Sequence, residues 1–166
     1  MPSALELMTI VGFACLSLAA GYALLTVIAV LVWRSRKGPV DSRSLPPVTM
    51  LKPLCGAEPG LYEHLRSFCR QDYPEFQLVF GVRDPGDPAC AVVKRLAAEF
   101  PSVPIDLVIN PALHGSNLKI SNLINMLPFA RHDVLAMADS DAFVGTDYLR
   151  SVTAPLLDHA IGLVTC

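Results

Sequence analysis

Apolar and polar positions are distributed unevenly along this chain of 166 residues. From Leu7 to Trp33 no side chain is charged; a helix of about 27 residues extends roughly 40 Å, against a hydrocarbon core of about 30 Å. The pattern predicts a transmembrane helix over 7–33. A cleavable signal peptide would call for a basic start and a shorter apolar run, whereas this N-terminus carries only Glu6. Residues 34–47 are basic and polar and end in prolines, which predicts a juxtamembrane linker. From 48 to 166 short apolar runs alternate with segments of helical periodicity, the signature of an α/β sheet.

Within that region Val48–Leu54 reads as a first strand. Leu61, Leu65, Phe68 and Cys69 mark one face of a helix, with Pro59 in its first turn and Asp72-Tyr73-Pro74 stopping it. Phe76–Val82 is a second strand. Asp87-Pro88 reads as an N-cap followed by proline at the first helical position. The helix it opens is expected to bury Val92, Val93, Leu96, Ala97 and Phe100, and to end at Pro101. Ile105–Ile109 is a third strand, Ile120–Leu127 a short helix and Val134–Ala138 a fourth strand. Thr146 is expected to cap a further helix that Pro155 kinks or ends. Ile161–Cys166 is expected to begin a fifth strand, and because it has no closing turn the sequence reads as a fragment of a longer protein.

Charge and cysteine content narrow the function. A net charge of −2 gives no basic field for nucleic acid. Mean hydropathy is +0.46, with the excess at the N-terminal end. Arg34, Arg36 and Lys37 follow the apolar run, so the positive-inside rule places the remainder of the chain in the cytoplasm, at the cell (inner) membrane. The five cysteines show no C-x-x-C spacing and the four histidines no metal spacing, in keeping with a reducing compartment. Oligomeric state is not encoded in any visible pattern.

The candidate chemistry lies where apolar strands stop. Val134–Ala138 runs into Asp139-Ser140-Asp141, and residues two apart on an extended chain share a side, roughly 6.6 Å apart. Mg²⁺ is commonly held by one or two carboxylates together with substrate phosphates, and open α/β sheets bind ligands beyond the carboxyl ends of their strands. Aspartate also opens turns, so the pair gains meaning from its neighbours. Lys52-Pro53-Leu54-Cys55-Gly56 and Arg83-Asp84-Pro85-Gly86-Asp87 should converge on the same end. Asp84 suits hydrogen bonding to a base or ribose, and equally suits a turn before Pro-Gly; capping alone accounts for Asp87. Lys119, in His114-Gly115-Ser116-Asn117-Leu118-Lys119, stands at a helix start where it could neutralise a diphosphate, or simply be solvated. Neither G-x-G-x-x-G after the first strand nor G-x-x-x-x-G-K-[ST] is present, which disfavours Rossmann and P-loop nucleotide binding. A haloacid-dehalogenase-like phosphatase would carry its Asp-x-Asp on the first strand, with Thr or Val where Phe143 stands here.

Five segments in register resemble the membrane-bound ceramide glucosyltransferase family, most nearly the bacterial hopanoid-associated glycosyltransferases. They are Lys52–Gly56, Gln71-Asp72-Tyr73-Pro74, Val82–Pro88, Gly115–Leu123 and Asp139-Ser140-Asp141. The resemblance implies a GT-A nucleotide-diphospho-sugar transferase fold after one transmembrane helix, with 48–166 as its N-terminal, Rossmann-like part. It also implies a UDP-sugar donor, a lipid acceptor (ceramide-like or hopanoid), a divalent cofactor (Mg²⁺ or Mn²⁺) and inversion at the anomeric carbon. By position, Asp84 resembles the family's uridine-holding aspartate, and Lys119 its lysine near the nucleotide. Asp139 and Asp141 resemble its metal pair, Asp141 being the direct ligand. Pro53 and Leu54 are expected to flank the nucleotide-sugar. The family's later aspartate, read as general base, and its Gln-x-x-Arg-Trp segment have no counterpart before Cys166. The chain alone is therefore expected to be inactive, and a non-catalytic, membrane-tethered nucleotide-sugar-binding module is the alternative.

Overall fold

A computed structural model describes residues 3–35 and 45–165. The chain divides into two compact units, Met1–Pro39 and Val40–Cys166. In the first, helix α1 spans Ala4–Ser35. Ser3 and Glu6 form a reciprocal cap: the Ser3 N–H donates to Glu6 Oε2 at 2.8 Å, and the Glu6 N–H to Ser3 Oγ at 3.3 Å. Met8–Val32 is 25 residues long with mean hydropathy 2.4, long and apolar enough to cross a membrane. The Ser17 and Thr26 hydroxyls donate to the Phe13 and Tyr22 carbonyls within the helix, so they need no water. Most of the expected linker, including Arg36 and Lys37, lies outside the described residues.

The second unit is built on four parallel strands in the order β3-β2-β1-β4: β1 Val48–Pro53, β2 Phe76–Val82, β3 Ile105–Ile109 and β4 Val134–Met137. Val48 faces Phe76 on one side and Val134 on the other. Parallel neighbours require crossovers, and these are helical. They are α2 (Leu61–Cys69), α3 (Ala89–Glu99) and α4 (Leu118–Met126). One face of the sheet packs Met50, Leu78 and Phe80 against Leu65 and Phe68 of α2 and Val93 and Leu96 of α3. The other face packs Leu51, Val79 and Val108 against Met126 of α4. Residues of β1 and β2 are thus buried on both faces, which is why those strands read as unbroken apolar runs.

The approach of α4 to the sheet depends on Gly81, where a Cβ would overlap Met126 Sδ and Asn122 Oδ1. Several expected boundaries move. Pro59 precedes α2 rather than entering it, because Gly60 takes a left-handed φ of 82° and serves as the cap. In α3 the buried face is Ala89, Cys90, Val93 and Leu96; Val92 and Phe100 are half-buried and Ala97 is exposed. α4 begins two residues earlier than expected, at an Asn117 cap, and Leu127–Phe129 is a 3-10 turn. Thr146 caps nothing: α5 is Tyr148–Thr153 with Asp147 before it, and Pro155 lies in the 3-10 turn that ends it. Residues 161–165 form no strand and pair with none of the four, although among the described residues the outer edge of β4 is open. Cys166 lies outside the described residues.

Candidate functional site

Leaving β1, the chain builds β2 and β3 to one side and returns through β4 on the other. The carboxyl ends of β1 and β4 therefore flank the topological switch point, where open α/β sheets leave a crevice for ligand. A cleft of about 910 Å³ occupies that position. Pro53, Leu54, Asp84, Lys119, Asp139 and Asp141 all line it, together with Glu58, Arg83, Asp87 and Asn122.

Each wall is fixed by local chemistry. The Leu54 N–H donates to the Gly81 carbonyl at 2.8 Å, extending the β1–β2 pairing into the first loop. Asp87 Oδ1 accepts from the Ala89 N–H at 2.8 Å, capping α3, and both its carboxylate oxygens accept from the Gly56 N–H at 3.2 and 2.9 Å. Asp87 thus does more than cap, tying the loop after β1 to the loop after β2. Asp84 Oδ1 accepts from the Gly86 N–H at 2.8 Å, the turn-forming geometry, while the residue stays exposed at the cleft. At the start of α4, Asn117 Oδ1 accepts from the Ile120 N–H, which holds the first turn bearing Lys119.

β4 ends at Met137, so Asp139 and Asp141 lie on a turn beyond the strand rather than on its extended end, and the 6.6 Å spacing of a strand does not apply. Lys119 Nζ pairs with Asp139 Oδ1. At 53% and 62% side-chain exposure that pair contributes little to stability, about 0–1 kcal/mol. The Asp141 carboxylate makes no hydrogen bond or ion pair among the described residues.

Beneath this turn lies a residue to which sequence reading gave no role. Lys52, the fifth residue of β1, is fully buried. Its Nζ donates to the Asp139 main-chain carbonyl at 2.7 Å and sits 3.4 Å from the centre of the Phe68 ring. Burial pushes the Lys52 ammonium down to about 7, with Asp139 and then Asp141 pulling the other way. The available signal was a lysine inside an apolar strand, where a charge is expensive unless partnered.

The Gln71-Asp72-Tyr73-Pro74 segment is a clamp behind the aspartates. Gln71 Nε2 donates to the Gly145 carbonyl at 2.9 Å, and its Oε1 accepts from the Leu149 N–H at 3.0 Å. The Asp72 N–H donates to the Thr146 carbonyl at 2.8 Å, and Ser67 Oγ accepts from the Val144 N–H at 3.2 Å. Two buried polar atoms on cleft residues, Arg83 Nε and Asn122 Oδ1, have no hydrogen-bond partner.

The cleft is acidic: among the described residues that line it, Glu58, Asp84, Asp87, Asp139 and Asp141 face only Arg83 and Lys119. Among the described residues no group of three or more His, Cys, Asp or Glu side chains forms a metal cage. Two hard carboxylates open to solvent fit a cation that draws its remaining ligands from a bound phosphate and water.

Comparison with solved structures defines the class of fold. A mannosyltransferase from Pyrobaculum calidifontis, determined with GDP-Man and Mn²⁺, superposes with a TM-score of 0.60 at 24% identity over 89% of this chain and 45% of its own. S. aureus TarS 1-349 in complex with UDP superposes with a TM-score of 0.55 at 21% identity over 69% of this chain and 33% of its own. The second unit therefore has the GT-A glycosyltransferase fold. The family model described as Glycosyl transferase family 21 matches residues 12–166, and the chain belongs to that family. Ceramide glucosyltransferase 3 of Caenorhabditis elegans is 30% identical over 126 residues, 75% of this chain. This chain spans 28% of that relative's length.

Proposed function

We propose that this chain supplies the donor-binding part of a membrane-tethered glycosyltransferase that moves a sugar from UDP to a lipid hydroxyl, ceramide-like or hopanoid, with inversion at the anomeric carbon. The observation that carries the reading is the sign of the cleft. Five carboxylates against two cationic side chains would repel a bare nucleotide diphosphate, so the cleft suits a diphosphate that arrives with a divalent cation. Membership of family 21 and the 30% identity to a ceramide glucosyltransferase support lipid glycosylation.

In this reading Asp141 and Asp139 hold Mg²⁺ or Mn²⁺, which when bound acts as a Lewis acid towards the departing diphosphate. Lys119 adds positive charge at the start of α4, where free N–H groups also favour an anion. Asp84 accepts hydrogen bonds from the base or ribose, and Pro53 and Leu54 flank the nucleotide. The acceptor oxygen gives its proton to a carboxylate base, bonds to the anomeric carbon from the opposite face, and the bond to the diphosphate oxygen breaks. Helix α1 holds the cytoplasmic domain at the membrane that contains the acceptor.

Calorimetry of the detergent-solubilised protein with UDP and Mn²⁺ tests the reading. Micromolar binding that weakens at least tenfold in Asp141→Asn, at unchanged melting temperature, is the expected result. Equal binding by the variant would remove the metal assignment, and no binding by the wild-type protein would remove the donor assignment. Binding without sugar transfer to any lipid by the complete protein would make it a nucleotide-sugar-binding module.

A further inference from the structure

Lys52 occupies a position whose cost demands an explanation. A fully buried lysine forfeits the hydration of its amine, and a methionine of similar length would fill the same slot without that penalty. What the amine gains is specific. It bonds to the main-chain carbonyl of Asp139 at 2.7 Å and rests on the face of Phe68 at 3.4 Å. Phe68 is itself fully buried in α2 and meets the Tyr148 ring of α5 edge-on, with ring centres 5.8 Å apart. The lysine is therefore held by a rigid support on one side and grips the backbone of a turn on the other.

The atom it grips matters. Because Nζ takes the Asp139 carbonyl oxygen rather than a side-chain oxygen, it fixes the peptide from which the turn departs and leaves both carboxylates at the cleft. Ala138 N–H to the Leu51 carbonyl, at 3.4 Å, is the last backbone bond from β4 back to β1. Beyond it, Lys52 is the link that carries the β1–β4 pairing one residue further, to Asp139. Val144 and Gly145 are secured separately, by Ser67 and Gln71. The aspartate turn is thus stretched between two anchors, with Lys52 at its entrance.

We propose that Lys52 is a positioning residue of the donor site, pinning the Asp139 peptide so that the Asp139 and Asp141 carboxylates meet a cation-bound diphosphate in fixed geometry. This rests on the functional reading above, and it assigns to β1 a part in metal-dependent binding that the cleft-lining side chains do not reveal.

The test is Lys52→Met in the full 166-residue protein in detergent. UDP affinity is measured with Mn²⁺ and with EDTA, beside the Mn²⁺ electron paramagnetic resonance spectrum of the nucleotide complex. The expected result is a folded variant in which the gain in UDP affinity conferred by Mn²⁺ falls at least tenfold, UDP affinity in EDTA changes less than twofold, and the Mn²⁺ spectrum broadens. A space-filling role would move stability and leave the Mn²⁺-dependent gain intact; an intact gain overturns the proposal. Should the variant fail to fold, ¹⁵N-lysine spectra of the wild-type protein decide. The Lys52 amine signal is expected to shift with UDP plus Mg²⁺ and to stay put with UDP plus EDTA. An unmoved signal under saturating UDP plus Mg²⁺ overturns the proposal. Absence of any UDP binding by the wild-type protein removes the donor reading and this one together, a result distinct from normal Mn²⁺-dependent binding by Lys52→Met.

Discussion

At the scale of single residues, Lys52 and Cys69 give the fold opposite responses to pH. Lys52 lies near 7 in the folded chain, against 10.5 for an ordinary lysine, because of burial. Between about pH 7 and 10.5 the unfolded chain holds a proton at this residue that the folded chain has released, so the Lys52 contribution to stability rises with pH across that window. Cys69, pushed by burial from 9.0 up to about 12, keeps its proton in the fold where an unfolded thiol loses it, so its contribution falls above about pH 9 and opposes that of Lys52 up to about pH 10.5. Tyr73, also raised by burial, adds to the fall. Urea titrations from pH 6 to 11 are expected to show stability rising from about pH 7, a broad maximum between about pH 9 and 10.5 and a decline beyond it, and Lys52→Met to abolish the rise while keeping the decline. The two residues also differ in legibility. Asp84, Asp139 and Asp141 stand out in the sequence because each falls just beyond an apolar run, where open α/β sheets leave a crevice. Lys52 does not, since a lysine one residue before a strand's end reads as solvated until the turn from β4 is seen to close over it.

At the scale of elements, Gln71 joins α2 to the segment before α5. Gln71→Ala leaves the buried Leu149 N–H without a partner and the Gly145 carbonyl with the Tyr148 N–H as its remaining donor, and is expected to cost about 1–3 kcal/mol by chemical denaturation. Gly81→Ala forces Met126 and Asn122 away from β2 and is expected to destabilise by about 1–3 kcal/mol, with loss of the Asn122 Nδ2 bond to the Gly81 carbonyl. Both contacts join residues far apart in sequence, so no local pattern announces them. The strands were more legible. β2 and β3 carry the boundaries that their apolar runs imply: β2 is held between β1 and β3, and β3 pairs along its whole length with β2. Pattern reading fails where a partner decides the structure. Ile161–Thr165 has strand composition yet pairs with none of the four strands, and Thr146 resembles a cap, yet its carbonyl is taken by the Asp72 N–H.

At the scale of the molecule, the two units bury apolar surface very differently. The second has a double-faced core, but Leu135 and Met137 on β4 and Ile120, Ile124, Leu127 and Phe129 in and after α4 remain exposed. Among the described residues β4 is an edge strand. An apolar edge favours association. Sedimentation of the detergent-solubilised chain is therefore expected to show concentration-dependent self-association, which Met137→Lys shifts towards monomer.

The sealed lysine also gives the crevice its own reporter. An amine-reactive acylating reagent meets Lys94 and Lys119 at the surface, while Lys52 stays shielded behind Phe68 and the Asp139 peptide. Its acylation rate consequently measures how often β1 and β4 part at their carboxyl ends, and any ligand that closes this gap slows the modification without touching the amine.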